Sequence, residues 1–266
     1  MRSRFCYLIL AALFGALALA SCGVNEAAQA QPAPAPAAAP ILHTPPPMPT
    51  SPPRPPTPTP PAPPPARAVA ATAATLLSAD FGPTTDLSHW SVRDAADALG
   101  GPSVWQTLNG HLIPASDVNT LPALYTSALT TGDPHWQDYL VSTAAFVSAN
   151  DEIGVVARAN DAGYYVFKLL PQGRSPALLL ARYEEPNHIF VPLATAARGG
   201  YVERRWYQLA LKVQGSELTA YVDGQAVLTA HDATYARGQA GVSGYPEGGL
   251  EFDNLTVQAL AATGQP

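Results

Sequence analysis

The chain has 266 residues, 47% of them hydrophobic and only 13% charged, with a formal net charge of −6 at neutral pH. An acidic balance of this kind repels phosphate backbones and excludes nucleic acid as the expected partner. Two cysteines, one on each side of an N-terminal apolar run, exclude a disulfide-built scaffold, and most of the 29 prolines crowd into one tract.

Residues 1–21 read as a signal peptide. Arg2 and Arg4 precede an apolar run from Tyr7 to Ala20 that is too short to span a bilayer comfortably. Leu19-Ala20-Ser21-Cys22 follows that run directly and resembles the lipobox of bacterial lipoproteins, which implies that Cys22 becomes the acylated first residue of the exported chain. Removing 1–21 takes two arginines and no acid, leaving 12 basic residues against 20 acidic ones, a formal −8. The expected location is exported and membrane-anchored, at the cell surface or outer membrane, with the membrane engaged through the lipid only.

Residues 22–75 consist of Ala, Pro, Thr and Gln with almost no large apolar side chains, as in "PAPAPAAAP" and "TPPPMPTSPPRPPTPTPPAPPP". Such a segment has too little apolar surface to offset its ordering entropy and is expected to be a disordered, polyproline-like linker. At about 3.1 Å per residue its densest part reaches on the order of 100 Å, enough for a stalk. Residues 76–260 are long enough for a single domain with a substantial core, and 261–266 read as a disordered tail.

Within the domain, short β-like runs recur in chain order: "YLVSTAAFV", "IGVVARA", "YYVFKLL", "ALLLARY", "WYQLALKV", "LTAYVD", "QAVLTA", "AGVSGY" and "FDNLTVQAL". Turn chemistry separates them, and no stretch sustains a helical apolar period, so the pattern predicts an all-β, antiparallel two-sheet sandwich. The most regular stretch is "WYQLALKVQGSELTAYVDGQAVL". A turn at Gly215-Ser216 would set Val213 opposite Leu218, Leu211 opposite Ala220 and Leu209 opposite Val222, making one face wholly apolar. Asp223-Gly224 then reads as the next hairpin turn, and Asp223 as a turn residue rather than a catalytic one.

The order of "ADFGPTTDLSHWSV", "WQTLNGHLIP", "ALTTGDPHWQDYLVSTAAFV", "IGVVARANDAGYYVFKL", "WYQLALKVQGSELTAYVDGQAV", "GQAGV" and "FDNLTV" resembles a concanavalin A-like, laminin G-type jelly roll. The pattern is most similar to the bacterial domain of 3-keto-disaccharide hydrolases. The resemblance implies two curved antiparallel sheets with the first and last strands side by side. It does not settle function, because the superfamily holds lectins, glucanases and adhesion modules.

Retaining glucanases of that superfamily carry two glutamates and an aspartate close together on one strand. Here "GGLEFDNLTV" places Glu251 and Asp253 at one parity, but Leu255 stands where a further acid would be needed. Glu184 and Glu185 are adjacent and would point to opposite faces of a strand. The six histidines show no short metal-ligand spacing, and there is no phosphate loop or nucleophile elbow. No catalytic residue is assigned, and no cofactor is required.

A binding face is argued from strand pairing. A loop from Asn160 to Gly163 would pair Arg158 with Tyr165 and Val156 with Phe167; a loop from Pro171 to Pro176 would pair Tyr165 with Arg182 and Phe167 with Leu180. Arg158, Tyr165 and Arg182 would then form a row with an aromatic ring between two planar donors, either a saccharide platform or a structural cation–π stack. Trp136, in "TGDPHWQDY", is the tryptophan expected to be most exposed. Asp80 on the first strand and Asp253 on the last would approach each other, and the laminin G resemblance implies a possible structural calcium ion there.

The expected function is a non-catalytic, lectin-like domain that binds carbohydrate or another extracellular polymer. An enzyme acting on 3-keto-glycosides and a protein-binding adhesion module are the alternatives.

Overall fold

The structure, a computed structural model, describes residues 74–94, 102–115, 127–148, 151–185, 187–245 and 249–260. The signal peptide, Cys22, nearly all of the linker and the tail lie outside the described residues. The first strand starts at Thr75, one residue before the expected domain boundary.

Strands run in chain order as β1 (Thr75–Ala79), β2 (Ser91–Arg93), β3 (Trp105–Leu108), β4 (His111–Pro114), β5 (Ser127–Thr131), β6 (Tyr139–Val147), β7 (Ile153–Asn160) and β8 (Gly163–Leu169). They continue as β9 (Leu178–Glu184), β10 (Ile189–Ala196), β11 (Arg205–Gln214), β12 (Glu217–Val222), β13 (Gln225–His231), β14 (Gln239–Gly244) and β15 (Leu250–Ala259). Sheet A has the order β13-β12-β11-β6-β15-β4-β3, with β1 also on β15, and sheet B the order β10-β9-β8-β7-β14-β5-β2. All pairings within the two sheets are antiparallel, and the first and last strands are neighbours, Ala79 facing Leu255. The fold is thus the antiparallel two-sheet sandwich that the patterning predicts, arranged as the jelly roll that the resemblance implies.

The hairpin read from Gly215-Ser216 forms in the expected register, with Leu209, Leu211 and Val213 opposite Val222, Ala220 and Leu218. Five of these six side chains are fully buried between the sheets. Asp223 and Gly224 both adopt positive φ, 50° and 78°, as the tight turn into β13 requires. The aspartate does more than turn the chain: its Oδ1 accepts from the Gln208 amide at 2.9 Å and its Oδ2 from Arg205 Nη2 at 2.8 Å.

The periodicity overlooks β10, whose "IFVPLATA" contains Pro192. A proline cannot donate to a ladder, and β10 solves this by lying at the edge of sheet B, with a register shift between Pro192 and Ala194.

Two further irregularities correct sequence expectations. At Arg158, φ is 52° and the register of β7 with β8 shifts between Ala157 and Asn160. Ala157, not Arg158, faces Tyr165, and Val155, not Val156, faces Phe167. In β15 a shift between Asp253 and Thr256, with Asn254 at φ 51°, places Phe252, Leu255 and Val257 in the core together. Leu255 therefore leaves the face that holds Glu251 and Asp253.

The core between the sheets includes Leu112, Val141, Val155, Phe167, Leu180, Leu211 and Phe252. A second buried cluster lies on the opposite face of sheet B, where Tyr164, Tyr183 and Phe190 form one row across β8, β9 and β10. On that face Lys168 Nζ sits 2.8 Å from Glu152 Oε1 and 4.2 Å from the Phe190 ring centre. Burial pulls the Lys168 ammonium down and pushes the Glu152 carboxyl up, their pairing opposing both shifts. Tyr164 is 1% exposed and Tyr183 2%, so neither tyrosine presents an open ring face, while Phe190 at the edge is half-buried.

Candidate functional site

The expected row of Arg158, Tyr165 and Arg182 is only half assembled. Tyr165 does face Arg182, but the β7 bulge turns Arg158 elsewhere, where it is 1% exposed. Its guanidinium donates to the carbonyls of Gln137, Gly215 and Tyr235 at 2.9, 2.8 and 3.0 Å, and to Asp138 Oδ1 at 3.1 Å. Tyr165 belongs to the core and has no exposed ring face on which a sugar could stack. Its hydroxyl donates to Asp232 Oδ1 at 2.6 Å and accepts from the Tyr235 amide at 2.9 Å. Arg182 is committed to Asp232 and, through Nε and Nη2, to Glu184. The structural reading of these residues prevails because each polar group already has a protein partner.

Trp136 is half-buried. It covers Gly132, where an added Cβ would come within 2.1 Å of the indole, and meets Tyr139 edge-on with ring centres 6.1 Å apart.

Asp80 follows the end of β1 and is exposed, while Asp253 on β15 is 8% exposed. Burial raises the Asp253 carboxyl above its usual range; the Asn254 amide and His111 pull it back, and Asp80 pushes it further up. Both Asp253 oxygens already accept from Asn254. Calcium takes six to eight oxygens, and among the described residues no group of three or more His, Cys, Asp or Glu side chains is placed to hold a metal. Two carboxylates, one of them already engaged, do not fit the ion.

A cleft lies instead on the outer face of sheet A. The β3–β4 hairpin closes through Asn109 and Gly110, at φ 55° and 85°, the pair of left-handed residues that a two-residue turn needs. Alternation along β4 then sends Leu112 into the core and leaves His111 and Ile113 on the outer face. Phe252 faces Leu112, so Glu251 shares that outer face. The two chain-distant residues meet, His111 Nδ1 lying 2.5 Å from Glu251 Oε2.

Glu251, Phe146 and Trp206 form a transverse row across β15, β6 and β11. The Trp206 ring packs on Phe146 at 5.4 Å and meets His111 edge-on at 5.1 Å, fixing the imidazole from one side. Beside the pair is a cavity of about 200 Å³ with Leu108 and Ile113 on its apolar side and Asn109, His111 and Glu251 on its polar side. The His111 and Glu251 side chains remain 20% and 25% exposed, and Leu108 is 51% exposed. The cleft is thus open, amphipathic and built on strands rather than on loops.

Sequence reasoning noticed Glu251 only as an incomplete acid pair and did not single out His111. The available signal was Asn109-Gly110, a strong hairpin turn that sets the face of the next residue. Nothing local, however, links position 111 to position 251.

No protein-family model matches the sequence, and no curated protein matches it. Among solved structures, the fold resembles the carbohydrate-binding module CBM66 from Bacillus subtilis, with a TM-score of 0.52 at 14% identity over 64% of this chain and 96% of that one. It also resembles a Bacillus subtilis protein of unknown function with a galectin-like fold, with a TM-score of 0.51 at 11% identity over 70% and 96%. A third similar structure comes from work on endo-acting O-glycanases of the human gut microbiota, with a TM-score of 0.50 at 11% identity over 71% and 100%. These likenesses concern the fold, a galectin-like, concanavalin A-like jelly roll.

Proposed function

We propose that the protein is exported and lipid-anchored through Cys22, and that its jelly-roll domain binds carbohydrate without catalysing a reaction. The observation that carries the reading is the cleft at His111 and Glu251. It pairs an exposed apolar wall with a fixed imidazole–carboxylate couple, matching a sugar's apolar ring face and its hydroxyls. The fold shared with a carbohydrate-binding module supports the same reading.

An enzyme acting on glycosides, including the 3-keto-glycosides suggested by the sequence pattern, is the second reading, favoured by the likeness to the glycanase structure. Glycosidic cleavage usually requires two carboxyl groups flanking one bond. Among the described residues lining this cleft Glu251 is the one carboxylate and is bonded to His111, while Asp253, farther along β15, is bonded to Asn254, which favours binding over turnover.

The test is a glycan array probed with the full chain and with His111→Ala. Retention of a glycan by the wild type and its loss in the variant, at unchanged melting temperature, is expected. Turnover of a 3-keto-disaccharide would favour the enzyme, and capture of a protein that survives deglycosylation would favour an adhesion module.

A further inference from the structure

We propose that the end of the sandwich built from the β8–β9 and β10–β11 loops is a second binding surface, separate from the cleft, for an acidic polysaccharide bearing carboxylate or sulfate groups. The proposal takes from the proposed function only that the chain is exported. It follows from where this acidic protein keeps its unpaired arginines.

Among the described residues, Arg174 of the β8–β9 loop and Arg198 and Arg204 of the β10–β11 loop are exposed and form no ion pair. Arg158, Lys168, Arg182, Arg205 and Lys212 are each bound to a carboxylate, and Arg93 donates to Thr130 and to the Asn160 carbonyl. Arg237 is exposed at the opposite end, next to Gly238, whose amide donates to the Trp136 carbonyl at 3.0 Å.

The two loops share one base. Pro171 bridges Tyr201; the Gln172 amide donates to the Tyr201 carbonyl at 2.8 Å and the Tyr201 amide to the Leu170 carbonyl at 2.9 Å. Gly200 lies so close that an added Cβ would come within 2.6 Å of the Leu170 carbonyl oxygen. The Arg204 amide donates to the Val147 carbonyl at 2.6 Å, which ties the same loop to the end of β6. Nearby acids do not cancel the arginines: Asp151 and Glu152 are buried, Glu152 against Lys168, and Asp223 is held by Arg205. Glu203 is the one exposed acid of these two loops.

A guanidinium stays charged and offers planar paired donors that match an oxyanion. One exposed pair of this kind is weak. A polymer that repeats its anion along the chain engages several arginines at once, and each contact after the first is intramolecular. Placement favours such a polymer. Thr75, at the start of β1, pairs with Gln258, and the adjoining Ala259 pairs with Tyr139 at the start of β6, whereas Arg205 pairs with Val147 at its end. At about 3.4 Å per residue the arginines lie about 27 Å from the point where the chain enters the fold. They are presented away from that point, which favours a polymer met outside the cell over the phospholipid of the anchoring membrane.

The test is titration calorimetry of the full chain carrying Cys22→Ser, so that no acyl group contributes, against polygalacturonate, dextran sulfate, neutral dextran and phosphatidylglycerol vesicles. At least one polyanion should bind, more weakly as salt rises, and its binding should survive His111→Ala, which removes only the cleft. In that His111→Ala background neutral dextran should not bind. Combining Arg174→Gln, Arg198→Gln and Arg204→Gln should weaken the polyanion about tenfold. The melting temperature should hold, since none of the three has a partner to lose. Glu203→Gln should act in the opposite direction and tighten binding; should the triple variant melt lower, this variant decides, and no tightening overturns the proposal. Failure of both polyanions to bind, or binding indifferent to the triple substitution, overturns it as well. Vesicles bound while neither polyanion is would assign the surface to membrane instead. Loss of the polyanion in His111→Ala would give the anion to the cleft, overturning the second surface and leaving carbohydrate binding standing.

Discussion

Arg158 Nη1 donates to the carbonyl of Gly215 at 2.8 Å, tying a bulge in sheet B to a hairpin turn in sheet A. The same guanidinium satisfies the Gln137 and Tyr235 carbonyls and the Asp138 carboxylate, so one buried side chain holds several connecting segments at the end of the sandwich. Truncating it leaves several acceptors unmet at once. Arg158→Ala is expected to lower stability by about 3 kcal/mol or more. Arg158→Lys should recover little, because an ammonium cannot reproduce the planar fork. Urea unfolding measures the loss. A small loss in Arg158→Ala would mean that water replaces these bonds.

Asp223 stands at φ 50° while its carboxylate accepts from Gln208 and Arg205. Asparagine tolerates the left-handed region and keeps one acceptor, so Asp223→Asn should stay within about 1 kcal/mol of the wild type. Asp223→Ala loses both the acceptor and the conformational tolerance and should cost about 1–2 kcal/mol. Thermal melts of the two variants, compared side by side, check the ordering. Neither should alter glycan binding.

Asp232 governs an acid limb of stability. Burial pushes its carboxyl up, but hydrogen bonds from Tyr165 and Thr234 and the charge of Arg182 outweigh that and hold it below the usual aspartate range. A group whose folded pKa is depressed stabilises the fold above its unfolded value and loses that contribution as pH falls through the folded one. Melting temperature should therefore decline as pH drops below about 4, near the unfolded aspartate value. In Asp232→Asn that decline should be shallower, from a lower starting stability. A wild-type slope in the variant would assign the acid limb to other carboxylates.

Cys22 lies outside the described residues, and its proposed role rests on the run that precedes it. Cys22→Ser should move the protein from the membrane fraction to the soluble exported fraction. A wild-type protein found soluble and unacylated after export would contradict the anchor.

Much of the architecture was readable because it is local. Gly215-Ser216 and Asp223-Gly224 specify their turns within a few residues, and a turn sets register, so the β11–β12 pairing could be derived by counting. Pro171 to Pro176 did the same for Tyr165 opposite Arg182. The reading failed where an extra residue enters a strand. The bulge at Arg158 is held by Tyr139, whose hydroxyl accepts the Arg158 amide at 2.5 Å, by the nearby Gln137 carbonyl, and by carbonyls from two other segments. None of these is visible in "VVARANDAGYY".

The sequence by itself determined the strands from β6 to β9 and from β11 to β15, several hairpin turns and the antiparallel sandwich, because side-chain alternation and left-handed turn residues act over a few positions. Only the tertiary structure decided which polar residues serve the fold and which remain open. Tyr165 and Arg182 paired as counted, yet Asp232, Tyr235 and Glu184 close around them. His111 and Glu251, with nothing in their local patterns to connect them, meet because β4 and β15 lie side by side in sheet A. Burial and partnership depend on strand order across the whole sheet, and strand order emerges from packing all the strands at once.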